Sequence, residues 1–166
     1  MHDSSSVTYP VFTAIAAPEV QNKLNGDFAI IAGPYLQNLA TGGCELDYTL
    51  TFVSEKFISM VFFGVLDEGE KEIFAKIPLN IDVQTGAQLA LGDVLNLRDA
   101  DLLPVLRLLT KKDKVDFSKG IPESWYYNGT NFVFCQRSET GEWLEATVAA
   151  SDLKKFLLKP EYFKEN

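Results

Sequence analysis

The sequence predicts an α+β fold: an antiparallel β-meander sheet packed against a long N-terminal helix, with two further helices. Three observations carry this expectation. Val20, Leu24, Phe28 and Ile31 recur at spacings of four, four and three, which places them on one face of a helix within residues 17–40. Residues 44–83 hold three strand-like runs separated by short polar turns. Residues 124–136 put Asn128 and Gly129 between two aromatic-rich runs, the strongest short-range signal for a hairpin.

Taken in order, residues 7–12 read as a short strand, with Pro10 marking an edge position where a missing N–H does no harm. Residues 1–6 are expected to be a flexible segment and 7–166 a single domain. In the first helix Pro18 suits the first turn, whereas Pro34 should end or kink the helix near residue 32. The run 44–66 alternates Leu46, Tyr48, Leu50 and Phe52 with polar partners, turns at 54–56 and continues from Phe57, giving two antiparallel strands. A third strand of the same meander follows over 68–83 after a charged turn at 67–72. Residues 99–112 form a helix with Asp at its start and Lys at its end, matching the helix dipole. Residues 141–150 supply another strand, and 151–159 a closing helix capped by Ser151 or Asp152.

The chain has 166 residues, 46% of them hydrophobic, with twelve Phe, six Tyr and two Trp, enough for one core without disulfides or a structural metal. A formal charge of −8 argues against nucleic acid, whose recognition needs clustered Lys and Arg, and fits a basic partner better. No run of about 18 apolar residues is present, so no membrane insertion is expected. Cys44 and Cys135 lack the close pairing of zinc or redox motifs, leaving two buried thiols, or one disulfide if their strands are neighbours.

Catalytic motifs are scarce. The only histidine is His2, near the terminus, so triads built on imidazole and multi-histidine metal sites are not available. Ser151 and Lys154 match a Ser-x-x-Lys pattern but without its companion elements, and read as a helix start. Asn128 and Thr130 fit a glycosylation acceptor, which the hairpin turn already explains. Gly42 and Gly43 precede a strand and not a helix, the wrong context for a phosphate loop. Neither a cofactor, a metal site nor a catalytic residue is expected; paired carboxylates among the 23 Asp and Glu residues remain the one catalytic alternative.

The most patterned stretch is IPLNIDVQTGAQLALGDVL, residues 77–95, with Asn80, Asp82, Gln84 and Asp93 around Thr85 and Gly86. A calcium loop needs Gly at position 6 and Glu at 12. Starting at Asn80 gives Thr85 and Leu91 there, and starting at Asp82 gives Ala87 and Asp93, so neither register works. The structural alternative accounts for every residue: a strand ending at Val83, a turn with Gly86 at positive φ, a short extended 88–91, and Asp93 as the cap of a short helical segment.

This block resembles the Asn-x-Asp-x-x-Thr-Gly-x-x-Leu-x-Leu-x-Asp signature of an extracytoplasmic bacterial domain of unknown function, the RsiV and PdaC type. That domain occurs in lysozyme-sensing anti-sigma factors and beside the catalytic domain of a peptidoglycan deacetylase. The resemblance runs from about Val7 to Leu158 and takes in the YP strand, YTLTFVSEKFISMVFF, YYNGTNFVFCQ and ASDLKKFL. It departs at CQRSETGEWLEA, where relatives carry a Tyr-x-x-x-x-Tyr-Ala-x-Gly path and only Gly141 is kept. The deacetylase chemistry belongs to a separate domain with histidines that this chain lacks. The resemblance implies a noncatalytic binding or sensing module of the cell envelope, extracytoplasmic or secreted, with a signal or anchor outside this sequence; an intracellular location follows if Met1 is the native start. Together with the acidic charge it points to a cationic protein such as a lysozyme-like hydrolase, or to cell-wall material, as partner. The alternatives are a carboxylate-dependent cell-wall glycan enzyme and a structural accessory domain.

Overall fold

Alternation along the chain builds the first sheet. In the computed structural model, which describes residues 5–13, 17–40, 42–67 and 71–163, strands β2 (Cys44–Val53), β3 (Phe57–Asp67) and β4 (Glu72–Asp82) form an antiparallel meander. Ser54 closes the β2–β3 turn, its hydroxyl accepting the N–H of Phe57 at 3.0 Å. Leu46, Met60, Phe62, Leu79 and Ile81 share one face and pack with Leu24, Phe28, Ala32 and Tyr35 of helix α1 (Pro18–Asn38). Gly64, paired with Leu46 and Ala75, lies where a Cβ would overlap the Tyr35 phenol, so the helix can approach only because that side chain is missing.

Helix α1 does not end near residue 32: it runs through Pro34 to Asn38. Pro34 and Ile30, four residues earlier, are both exposed, so the carbonyl freed by the missing N–H faces solvent. Asn38 Nδ2 donates to the Pro34 carbonyl at 2.8 Å, which supports the last turn. The buried face is Leu24, Phe28, Ala32 and Tyr35, with Val20 and Ile31 at its margins.

The expected 7–12 strand is reduced to β1 (Ser6–Val7), which pairs parallel, not antiparallel, with Glu45 and Leu46 at the sheet edge. The parallel sense follows from the helix between β1 and β2, which carries the chain back before the next strand starts. After Thr8, whose N–H donates to the Leu46 carbonyl, the chain leaves the sheet, and Asn25 of α1 holds the backbone of Phe12 from both sides, accepting its N–H at 2.8 Å and donating to its carbonyl at 3.0 Å. His2 and the rest of residues 1–4 lie outside the described residues.

A second, three-stranded antiparallel sheet holds β5 (Ser124–Tyr127), β6 (Asn131–Arg137) and β7 (Trp143–Ala149). The Asn128–Gly129 hairpin forms as its sequence requires: Asn128 Oδ1 accepts the N–H of Asn131 at 2.8 Å and Gly129 has φ +95. This sheet closes a core of its own with helices α2 (Leu91–Val94) and α3 (Leu102–Leu109), in which Phe57, Trp125, Phe132, Phe134 and Phe156 are buried.

The expected helix over 151–159 is absent; turns and a 3₁₀ segment, Lys154–Phe156, replace it. Asn96 N–H donates to the Phe156 carbonyl and Leu158 N–H to the Val94 carbonyl, both at 2.8 Å, so pairing with the α2 region takes the backbone groups that a helix would need. Ser151 and Lys154 are exposed, and Ser151 caps no helix.

Candidate functional site

The patterned block folds by satisfying its own polar groups. Asp82 Oδ1 accepts the N–H of Gln84 at 2.8 Å and of Thr85 at 3.1 Å, and Gly86, at φ +68, returns its N–H to the Asp82 carbonyl. Gln88 then bridges back to Ile81, and Asp93 Oδ2 accepts the Ala90 N–H at 2.8 Å, capping α2 from its third position. Among the described residues no group of three or more His, Cys, Asp or Glu side chains is arranged to hold a metal ion.

Asn80 and Asp82 each have a long-range role that spacing along the chain could not reveal. Asn80, 4% exposed, accepts a hydrogen bond from Ser59 Oγ and donates Nδ2 to the Trp125 carbonyl, both at 2.7 Å. Ser59 Oγ in turn accepts the Tyr127 N–H at 2.8 Å. These bonds fasten the first sheet to β5. Asp82 Oδ2 accepts the Tyr162 hydroxyl at 2.5 Å, and Lys159 donates to the same hydroxyl at 3.1 Å, which ties the C-terminal segment to the block. Burial works to raise the Asp82 pKa, but the bonds from Tyr162, Thr85 and Gln84, with Lys159 nearby, outweigh it and hold the carboxyl below its usual range.

Where the two sheets diverge, the face of the first sheet away from α1 is left open. Strand register sets its side chains in rows: Asp67 opposite Glu72, then Glu45, Val65 and Phe74, then Asp47, Phe63 and Lys76. Trp143 and Glu145 of β7 form the opposing wall. Phe63 is 45% and Phe74 52% exposed, in a depression of about 540 Å³ that Trp143 and Lys76 also line. Adjoining hollows extend it past Gly141 and Glu142 on one side and Asp67 and Glu72 on the other. Among the described residues six carboxylates line this groove, Glu45, Asp47, Asp67, Glu72, Glu142 and Glu145, against two ammonium groups, Lys76 and Lys114.

At its floor Lys76 pairs with Glu145 and lies 5.6 Å from the ring centre of Phe63 and 5.4 Å from that of Tyr126. Glu145 also accepts the Tyr126 hydroxyl at 2.9 Å. Burial, then the bond to Glu145 and its charge, raise the Tyr126 pKa. Burial likewise pushes the Cys135 thiol up to about 12, despite Lys76 nearby. Cys44 and Cys135 are both free and buried.

Sequence reasoning missed Phe63, Phe74 and Trp143. The pair Phe62–Phe63 puts equal bulk on both faces of β3, so alternation does not mark the second ring as the outward one. Residues 140–145, within the stretch 135–146 that departs from the resembled domain, supply one wall of the groove.

A DUF3298 family protein from Pseudomonas aeruginosa PAO1 superposes with a TM-score of 0.61 over 90% of this chain and 84% of that one, at 14% sequence identity. The chain has the fold of DUF3298 family proteins. A DUF3298 member from Bacteroides fragilis NCTC 9343 gives 0.53 at 14% identity, over 84% of this chain and 65% of that protein. No family model matches the sequence, and no curated protein matches it either. No helix among the described residues is long and apolar enough to cross a membrane.

Proposed function

We propose that this chain is a noncatalytic binding or sensing module that works outside the cytoplasm, of the RsiV and PdaC type, and that its acidic groove engages a cationic protein. The observation that carries this reading is the open groove in which four carboxylates of the first sheet and two of the facing wall surround exposed Phe63 and Phe74. Carboxylates beside accessible aromatic rings suit lysine and arginine side chains, which gain from both charge and ring faces. A lysozyme-like cell-wall hydrolase has the required charge.

The test is capture of purified cationic cell-wall hydrolases at low ionic strength, followed by salt elution. Binding that weakens as salt rises is expected, because exposed charges are screened within about 10 Å at 0.1 M. Absence of binding at low salt rules out the partner. Release of soluble sugar from peptidoglycan by the purified chain would overturn the noncatalytic part and restore the carboxylate-enzyme alternative.

A further inference from the structure

We propose that the groove takes its partner as an extended strand: a lysine- or arginine-bearing segment adds to the free edge of β4 along residues 72–77 and directs alternate cationic side chains onto the acidic face. The proposal rests on the reading of the groove as a site for a cationic protein and adds how that protein is held. β4 is the last strand of its sheet, paired on one side with β3 throughout. Among the described residues its other edge is paired only at the far end, where Asp82 N–H reaches the Ala87 carbonyl and Leu89 N–H the Asn80 carbonyl. Pro78 offers no N–H and sets a natural limit to pairing. Among the described residues, none lies in a ladder along the outer edge of 72–77. An unpaired edge of this kind is a template for another strand, and nature protects such edges unless they are used.

The side chains favour a cationic occupant with a defined pattern. A residue added beside β4 projects onto the same face as the β4 residue it pairs with, so partners of Glu72, Phe74 and Lys76 look onto the groove. Opposite Glu72 an ammonium or guanidinium meets a carboxylate, and opposite Phe74 it meets a half-exposed ring. Opposite Lys76 a cation is repelled, so that position takes a neutral or acidic residue. The groove already holds one ammonium in this way, Lys76 itself, between two rings and against Glu145.

The experiment uses the whole chain and capped eight-residue peptides of Val and Thr carrying two lysines at alternate positions, with binding read by fluorescence anisotropy at low salt. The expected result is binding by the parent peptide and at least tenfold weaker binding by the same peptide N-methylated at alternate amides, which keeps the charge and removes the edge hydrogen bonds. The outward amides of Glu72, Phe74 and Lys76 should gain hydrogen-exchange protection with the parent, and Phe74→Ala should weaken binding about fivefold while far-UV circular dichroism stays unchanged. Equal affinity for parent and methylated peptides, or protection elsewhere than 72–77, overturns strand addition. If the hydrolases are captured but no peptide binds, strand addition fails and the groove reading stands; if neither binds, both fail.

Discussion

Asp82 shows how one carboxylate can hold a local turn and a distant segment together. Its folded pKa is depressed, so its stabilising contribution is fully present above the unfolded value, near 4, and is lost as pH falls through the folded value. Asp82→Asn should therefore lower stability at pH 7 by about 1–3 kcal/mol, with the gap to the parent narrowing below about pH 4; urea unfolding at pH 7, 4 and 2.5 measures both. A gap independent of pH would show that the charge plays no part. Asn80→Ala and Ser59→Ala each strand buried partners at the sheet junction and should cost about 1–3 kcal/mol. The double variant should cost less than their sum, because each removes the bond they share. Cys135, buried and with its thiol raised to about 12, should resist thiol reagents at pH 8 in the folded protein and react once guanidinium unfolds it.

Among the elements, α1 carries a defect that it could lose. Pro34 removes one internal hydrogen bond from a helix of 21 residues and stays tolerable because its turn is exposed. Pro34→Ala should raise stability by about 1–3 kcal/mol, read as a higher melting temperature by circular dichroism. The elements that could be read from sequence were those fixed by local chemistry: the β2–β3–β4 meander from alternation, the Asn128–Gly129 turn from its glycine, the course of the 80–95 block from Gly86 and Asp93. Those that could not be read were decided by distant partners. Asn25 holds the backbone of Phe12 to α1 and away from the sheet, and Val94 and Asn96 hold the chain after Leu153 out of a helix. Long-range competition of this kind leaves no periodic trace.

For the whole molecule, the relevant quantity is the relation between the two sheets, since it creates the groove. The acidic composition of the sequence could not single out this surface, because Glu45, Asp47, Asp67 and Glu72 converge only through strand register, and Trp143 and Glu145 face them only after the second sheet docks. Replacing Glu45 and Asp47 by Gln and Asn should leave the melting temperature nearly unchanged, as expected for exposed groups, while flattening the salt dependence of partner binding; both are measurable on one preparation.

The bonds that join the sheets also set a timetable. Asn80 reaches 45 residues ahead to Trp125, Ser59 reaches 68 ahead to Tyr127, and Asp82 reaches 80 ahead to Tyr162. A chain emerging from its N-terminus can complete α1 and the first meander while Asn80 and Ser59 still lack their partners, and the groove has no second wall until β7 arrives. Such separations make for slow closure. The proposed groove is therefore late to form: until β7 arrives, a nascent chain has its first sheet with one face still lacking the wall opposite it.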